Sequence, residues 1–177
     1  MKKCLIFFIA LSCSVALRAQ QKLTPVAAQS SINFTIRNFG FNTRGDLSGL
    51  KGKLYFDKNH LAQSSFDITV DVATINTGNS QRDKHLLAAD YFDVAKYPAI
   101  RIAGKPVLDK EGKFLFQGTL TIKNITKAIA FPFTLSAQNQ GYLFEASFKI
   151  NRLTYQVGNE SAVLSDDLKV MLKVMAK

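Results

Sequence analysis

After position 13 the sequence contains no cysteine, and it contains no tryptophan anywhere. The first absence removes disulfides and thiol chemistry from everything downstream. Beyond the first 19 residues no apolar run approaches the ~20 residues that a membrane-spanning helix needs. No basic block exceeds two consecutive residues. Together with the missing tryptophan, that argues against a nucleic-acid partner. There is no Gly-x-Ser-x-Gly elbow, no Walker loop and no dinucleotide fingerprint, the local patterns that carry nucleophiles or phosphates. Only His60 and His85 are present as histidines, and neither belongs to a ligand-spaced metal motif. His85 with Asp83 or Asp90 would make an acid–base pair, but no nucleophile accompanies it. The reading is therefore a non-enzymatic protein with no cofactor and no bound metal.

The first 19 residues stand apart. Lys2 and Lys3 precede an apolar run from Cys4 to Leu17, and Ala19 offers a small residue before Gln20. That order of basic, apolar and small residues is a secretory signal. It predicts an exported chain beginning near Gln20, in a periplasm or outside the cell. Ala10-Leu11-Ser12-Cys13 is a poor lipobox because its leucine is misplaced, so lipidation is the less favoured alternative. Removing Lys2, Lys3 and Arg18 from the 23 basic residues leaves 20 against 13 acidic ones, a net charge of +7. Such a surface suits anionic partners, although a merely solubilising role is the favoured explanation. A transient contact with a membrane surface and a homodimer both remain open.

What is present downstream is period-two alternation, the mark of strands with one apolar face. Phe66, Ile68, Val70 and Val72 alternate with polar residues, as do Phe114, Phe116, Gly118, Leu120 and Ile122. The same holds for Ile125 to Leu135, Tyr142 to Ile150 and Leu168 to Val174, with Ile32, Phe34 and Ile36 opening the series. Asp57-Lys58-Asn59, Asp109-Lys110-Glu111-Gly112 and Asn139-Gln140-Gly141 are turns, in the second of which Asp109 caps amides and Gly112 takes positive φ. About eight antiparallel strands in one domain, residues 20–177, must hide their edges in a sandwich or a closed barrel. Phe34, Phe66, Phe116, Phe131, Phe133, Phe144 and Phe148 share the inward parity, while Gly118 and Ala146 leave room. These residues alone fit a packed core or a tunnel.

One segment breaks the pattern: NTGNSQRDKHLLAADYFDVAKYPA, Asn76 to Ala99. Ser80 followed by Asp83 reads as a capping box. It predicts a short helix over about Gln81 to Ala88, laid across a sheet or over the mouth of a barrel.

This segment resembles the signature of the YceI-like family, periplasmic lipocalin-like proteins that bind polyisoprenoids. INFTIRNFGFNTRGDLSGLKGKLYFD (Ile32–Asp57), GTLTIKNITK (Gly118–Lys127) and INRLTYQVG (Ile150–Gly158) resemble its other blocks, in order, and the similarity spans about residues 30 to 175. The family's Arg-His-x-Gly reads Arg37-Asn38-Phe39-Gly40 here, so a titrating imidazole is replaced by an amide. The resemblance implies an eight-stranded antiparallel lipocalin-like barrel with a short helix between middle strands. It also implies a polyisoprenoid or other long-chain lipid held in an apolar tunnel, for transport, storage or sequestration. Phe34, Ile36, Phe66, Ile68, Phe116, Leu120, Phe131, Phe133, Phe144 and Phe148 are the expected tunnel lining. Arg37, Asn38, Arg82 and His85 are the expected headgroup contacts at the rim, with arginine suited to phosphate oxygens. The contrasting reading is an interaction or stress-related protein whose barrel is filled by its own side chains.

Overall fold

The computed structural model describes residues 21–177; the expected signal segment, with Cys4 and Cys13, lies outside the described residues. Ten strand segments and one α-helix follow in chain order. They are β1 (Gln21–Leu23), β2 (Ser31–Asn38), β3 (Phe41–Leu47), β4 (Lys51–Phe56), β5 (Ser65–Asp71), α1 (Ser80–Leu86), β6 (Ala99–Leu108), β7 (Phe114–Ile122), β8 (Ile125–Gln138), β9 (Gly141–Asn151) and β10 (Leu164–Ala176). All pairings are antiparallel, in the order β1-β4-β5-β6-β7-β8-β9-β10-β2-β3.

Ten segments reduce to eight barrel staves. β3 runs through Ser48–Leu50 directly into β4, so its β2-paired half and its β5-paired half are one bent strand. β1 and β2 likewise lie along one path, broken by a single 3-10 turn at Ala27–Gln29. Just before that turn the chain is tied to the end of β10: Thr24 N donates to Lys177 O at 2.6 Å and Val26 N to Met175 O at 2.7 Å. The ring therefore closes as an up-and-down barrel, which leaves no long free edge.

The turns obey local chemistry. Asp109 accepts from the amides of Glu111 and Lys113, both at 2.9 Å, and Gly112 sits at φ 77°. Asp57 accepts from Asn59 N at 2.8 Å and pairs with His60 Nδ1 at 2.9 Å. These turns gather at one end of the barrel. The β2–β3 turn, the Asn76–Ala99 excursion, the β7–β8 turn and the β9–β10 loop gather at the other.

On the outer wall Arg101 forks onto Asp67, with Nε–Oδ1 at 2.7 Å and Nη2–Oδ2 at 2.8 Å. That hydrogen bonding, aided by the guanidinium charge, holds the Asp67 carboxyl below its ordinary 3.8. A depressed carboxyl contributes stability above its unfolded pKa and loses it as pH falls through the folded one. The contribution of Asp67 should thus be constant from neutral pH down to about 4 and disappear below it. Thermal melts of wild type and Asp67→Asn across pH check this: the two curves should converge only in strong acid.

Candidate functional site

The inward side chains divide into two zones. At the turn end, Phe66, Phe116, Phe131, Phe133 and Phe144 are buried and pack with Leu23, Leu54, Phe56 and Val174. Their rings interlock: Phe56 meets Phe144 edge-on at 5.6 Å, Phe66 meets Phe144 at 5.3 Å, and Phe114 stacks on Phe133 at 5.3 Å. Edge-to-face and offset contacts add to area burial. The remaining void there is about 50 Å³. This half of the barrel is a plug.

Five of the expected tunnel residues sit in this plug and border its small void. Phe66, Phe116, Phe131, Phe133 and Phe144 form the floor of the space and do not line the main cavity. Gly118 leaves no room either. It faces Gly104 across β6 and β7, and the Phe116 ring lies across both, so a Cβ at Gly118 would come within 2.6 Å of that ring. Ala146 borders only the small void.

At the other end the barrel is hollow. A cavity of about 650 Å³ is lined by Phe34, Ile36, Ile68, Leu120 and Phe148 among the expected residues. Ile32, Ile100, Ile102, Leu168, Val170 and Leu172 also belong to its apolar wall. Phe34, Ile36, Ile68 and Phe148 are only half-buried, because their inner faces meet empty space. The volume lies within the ~300–1,000 Å³ typical of small-molecule sites.

The mouth is built by the Asn76–Ala99 excursion. Asn76 pairs with Asp46 of β3 through both backbone bonds, at 2.9 and 3.0 Å, which fixes where the excursion leaves the wall. Asn79, not Ser80, caps α1: its Oδ1 accepts from Arg82 N at 3.0 Å. The helix consequently starts one residue earlier than expected and ends at Leu86. Asp83 does not reach back to Ser80. It accepts from the Thr77 amide at 2.9 Å and from the Thr77 hydroxyl. One face of α1, carrying Gln81, Arg82, His85 and Leu86, looks onto the cavity.

Of the four expected rim residues, three meet at this mouth. Asn38, Arg82 and His85 line it. Arg82 gives Nε to Thr77 Oγ1 at 2.7 Å and Nη2 to Thr77 O at 2.8 Å, leaving Nη1 in no hydrogen bond among the described residues. His85 Nε2 lies 3.0 Å from Asp90 Oδ2, and its ring meets Tyr91 edge-on at 5.0 Å. That hydrogen bond is the main reason the Asp90 carboxyl sits below its ordinary value. Arg37 is elsewhere. Ile36 and Asn38 point inward, so period-two geometry sends Arg37 out to solvent, and it is absent from the cavity wall.

One wall residue was not singled out from the sequence. Arg152, at the end of β9, is 4% exposed. Its guanidinium donates to Ser165 O, Val157 O, Asn159 O and Leu164 O and pairs with Asp166 Oδ1 at 2.9 Å. It stitches the β9–β10 loop to the start of β10 and forms part of the mouth. The available signal was a lone arginine inside the INRLTYQVG block. Arg152→Met should cost about 3 kcal/mol or more, because four carbonyls and the Asp166 carboxylate lose their charged donor together and each such bond contributes about 1.5–3 kcal/mol; a urea midpoint shift at unchanged slope measures it.

A closed antiparallel barrel with a blind apolar cavity and a helix at its mouth is a lipocalin-like architecture. The sequence profile of the YceI-like domain matches residues 23–176, and the chain belongs to that family. A UPF0312 protein of Photorhabdus laumondii is 27% identical over 171 residues, covering 93% of this chain and 89% of its own. Protein YceI of Escherichia coli O157:H7 is 24% identical over 170 residues, covering 92% and 89%. Among solved structures, BcnA of Burkholderia cenocepacia superposes with a TM-score of 0.81 at 22% identity, over 86% of this chain and 99% of its own. A polyisoprenoid binding domain from Saccharophagus degradans gives 0.71 at 14% identity, over 88% and 97%. At these identities the structural likenesses speak to the fold.

Proposed function

We propose that this chain is an exported binding protein that holds a polyisoprenoid or similar long-chain amphiphile. Its role would be to transport, store or sequester that lipid in the periplasm or outside the cell after the signal segment is removed. The observation that carries the reading is the blind cavity: about 650 Å³, apolar along its walls, open beside α1 and stopped by the phenylalanine floor. An aliphatic chain entering it would gain about 0.8 kcal/mol per buried methylene with no polar contact needed. The same fold in a domain described as polyisoprenoid binding supports this choice of ligand.

The polar end of the amphiphile would stay at the mouth, where Asn38, Asn79, Gln81, Arg82 and His85 converge. Arg82 has one guanidinium nitrogen to offer, and a phosphate or carboxylate oxygen there would form a charge-assisted bond. Titration of the folded protein with a fluorescent isoprenoid, in phosphorylated and free-alcohol forms, tests both parts. Arg82→Gln should weaken the phosphorylated ligand about tenfold and the alcohol little, because a hydrogen bond to a charged group contributes about 1.5–3 kcal/mol. Arg37→Ala should change neither. Equal losses for both ligands would mean that Arg82 serves only to hold Thr77. Failure of both ligands to bind wild type would remove the carrier reading.

A further inference from the structure

The β2–β3 hairpin ends in an exposed aromatic tip. Phe39 and Phe41 are 69% and 78% exposed, the two most exposed large apolar side chains among the described residues. Val163 of the β9–β10 loop, 42% exposed, lies beside them, and its carbonyl accepts from Phe39 N at 2.9 Å. Phe39 and Val163 also border the cavity mouth, so this apolar tip is continuous with the opening.

The backbone makes the choice of phenylalanine more telling. Asn38 and Phe41 are paired, and the two residues between them have positive φ, 50° at Phe39 and 78° at Gly40. That is a type I′ turn, whose first position favours asparagine, aspartate or glycine. Phenylalanine in the left-handed region is unfavourable and exposed aromatic surface is disfavoured in water, so the position carries two local costs. Strain of that kind points to a use.

The flanking charge indicates the occupant. Arg37 and Arg44 project from the outer face of the same hairpin, are exposed, and form no ion pair among the described residues. No acidic residue lies between them, and the adjoining loop contributes Glu160; the nearest carboxylates on β10 and β3 are engaged elsewhere, Asp166 by Arg152, Asp167 by Asn151 and Asp46 by Asn76. An apolar tip collared by unpaired arginines matches an apolar interior covered by anionic headgroups.

We propose that the Phe39–Phe41 tip, with Val163, docks the cavity mouth on the surface of a lipid bilayer containing anionic headgroups. This deepens the carrier reading: the tip enters the interface, the arginines engage lipid phosphates, and a chain passes between bilayer and cavity without crossing open water.

Co-sedimentation with phosphatidylglycerol–phosphatidylethanolamine vesicles, and with pure phosphatidylcholine vesicles, tests docking. Wild type should bind the anionic vesicles, less as salt rises. Phe41→Ser, which leaves the cavity wall intact, should weaken that binding about tenfold, the scale of one buried aromatic side chain. Its melting temperature and its affinity for a fluorescent isoprenoid alcohol in vesicle-free solution should stay as in wild type. Arg37→Ser with Arg44→Ser should weaken anionic vesicles only. Phe39→Asn should raise the melting temperature, since asparagine suits the turn, yet reduce vesicle binding; a merely structural Phe39 would give the opposite sign in stability. Vesicle binding by Phe41→Ser equal to wild type overturns docking, as does no binding by wild type. Self-association that depends on Phe41, without vesicle binding, overturns it in favour of a second copy. Loss of isoprenoid binding in wild type with vesicle binding retained removes the carrier reading instead and leaves docking standing.

Discussion

Phe133→Ala should destabilise the protein by about 3–5 kcal/mol and leave ligand affinity nearly unchanged. Phe133 is buried in the floor, stacked on Phe114 at 5.3 Å and close to Phe66 and Phe144 at 6.3 and 6.1 Å. Removing its ring deletes apolar contacts on several sides, and surrounding rings held by closed strands relax only in part. Those are the conditions under which Phe→Ala reaches the upper range of core substitutions. The position lies below the cavity, so the ligand would lose no wall. Chemical denaturation gives the stability term and an isoprenoid titration gives the affinity. A cost below about 1 kcal/mol with a large loss of affinity would mean that the floor opens and the tunnel continues through it.

The mirror-image result is expected at Val170. This side chain on β10 lines the hollow half, with Phe34 and Phe148 as its cross-strand partners. Val170→Trp would place an indole in empty space. Overpacking penalties arise when a larger side chain must displace close-packed neighbours. Here the cavity accepts it, so stability should change by less than about 1 kcal/mol. Affinity should fall roughly fiftyfold if the indole excludes three methylenes at about 0.8 kcal/mol each. Core-sized destabilisation by Val170→Trp would show that the cavity collapses in solution. The pair of substitutions separates the two zones: one removes stability and spares binding, the other does the reverse.

The division between zones was the part of the site that alternation could not convey. Period two assigns Phe34 and Phe133 to the same inner face, and it was right about both. It has no information on depth. Whether an inward phenylalanine meets another ring or a void depends on eight strands brought together around it, a long-range property. Gly118 shows the same limit, because the space above it is filled by Phe116 from its own strand. Arg37 was a different case. Its exposed position follows from the parity of Ile36 and Asn38, so strand geometry outweighs the attraction of a family motif. The helix was legible in existence and placement, and its start shifted by one residue because Asn79 competes with Ser80 for the cap. Strands β3 and β6 carry weak alternation, with Gly45 beneath the Phe34 ring and Gly104 facing Gly118. Their strand character comes from their neighbours.

The most direct test of the carrier reading is the content of the cavity in the protein as its own cells make it. Protein purified from the native host without detergent, extracted with organic solvent and analysed by mass spectrometry, should yield a stoichiometric long-chain lipid of isoprenoid or similar character. Val170→Trp, purified in parallel, should yield far less. Repeated recovery of wild-type protein with no lipid, from membranes and soluble fractions alike, would contradict the account.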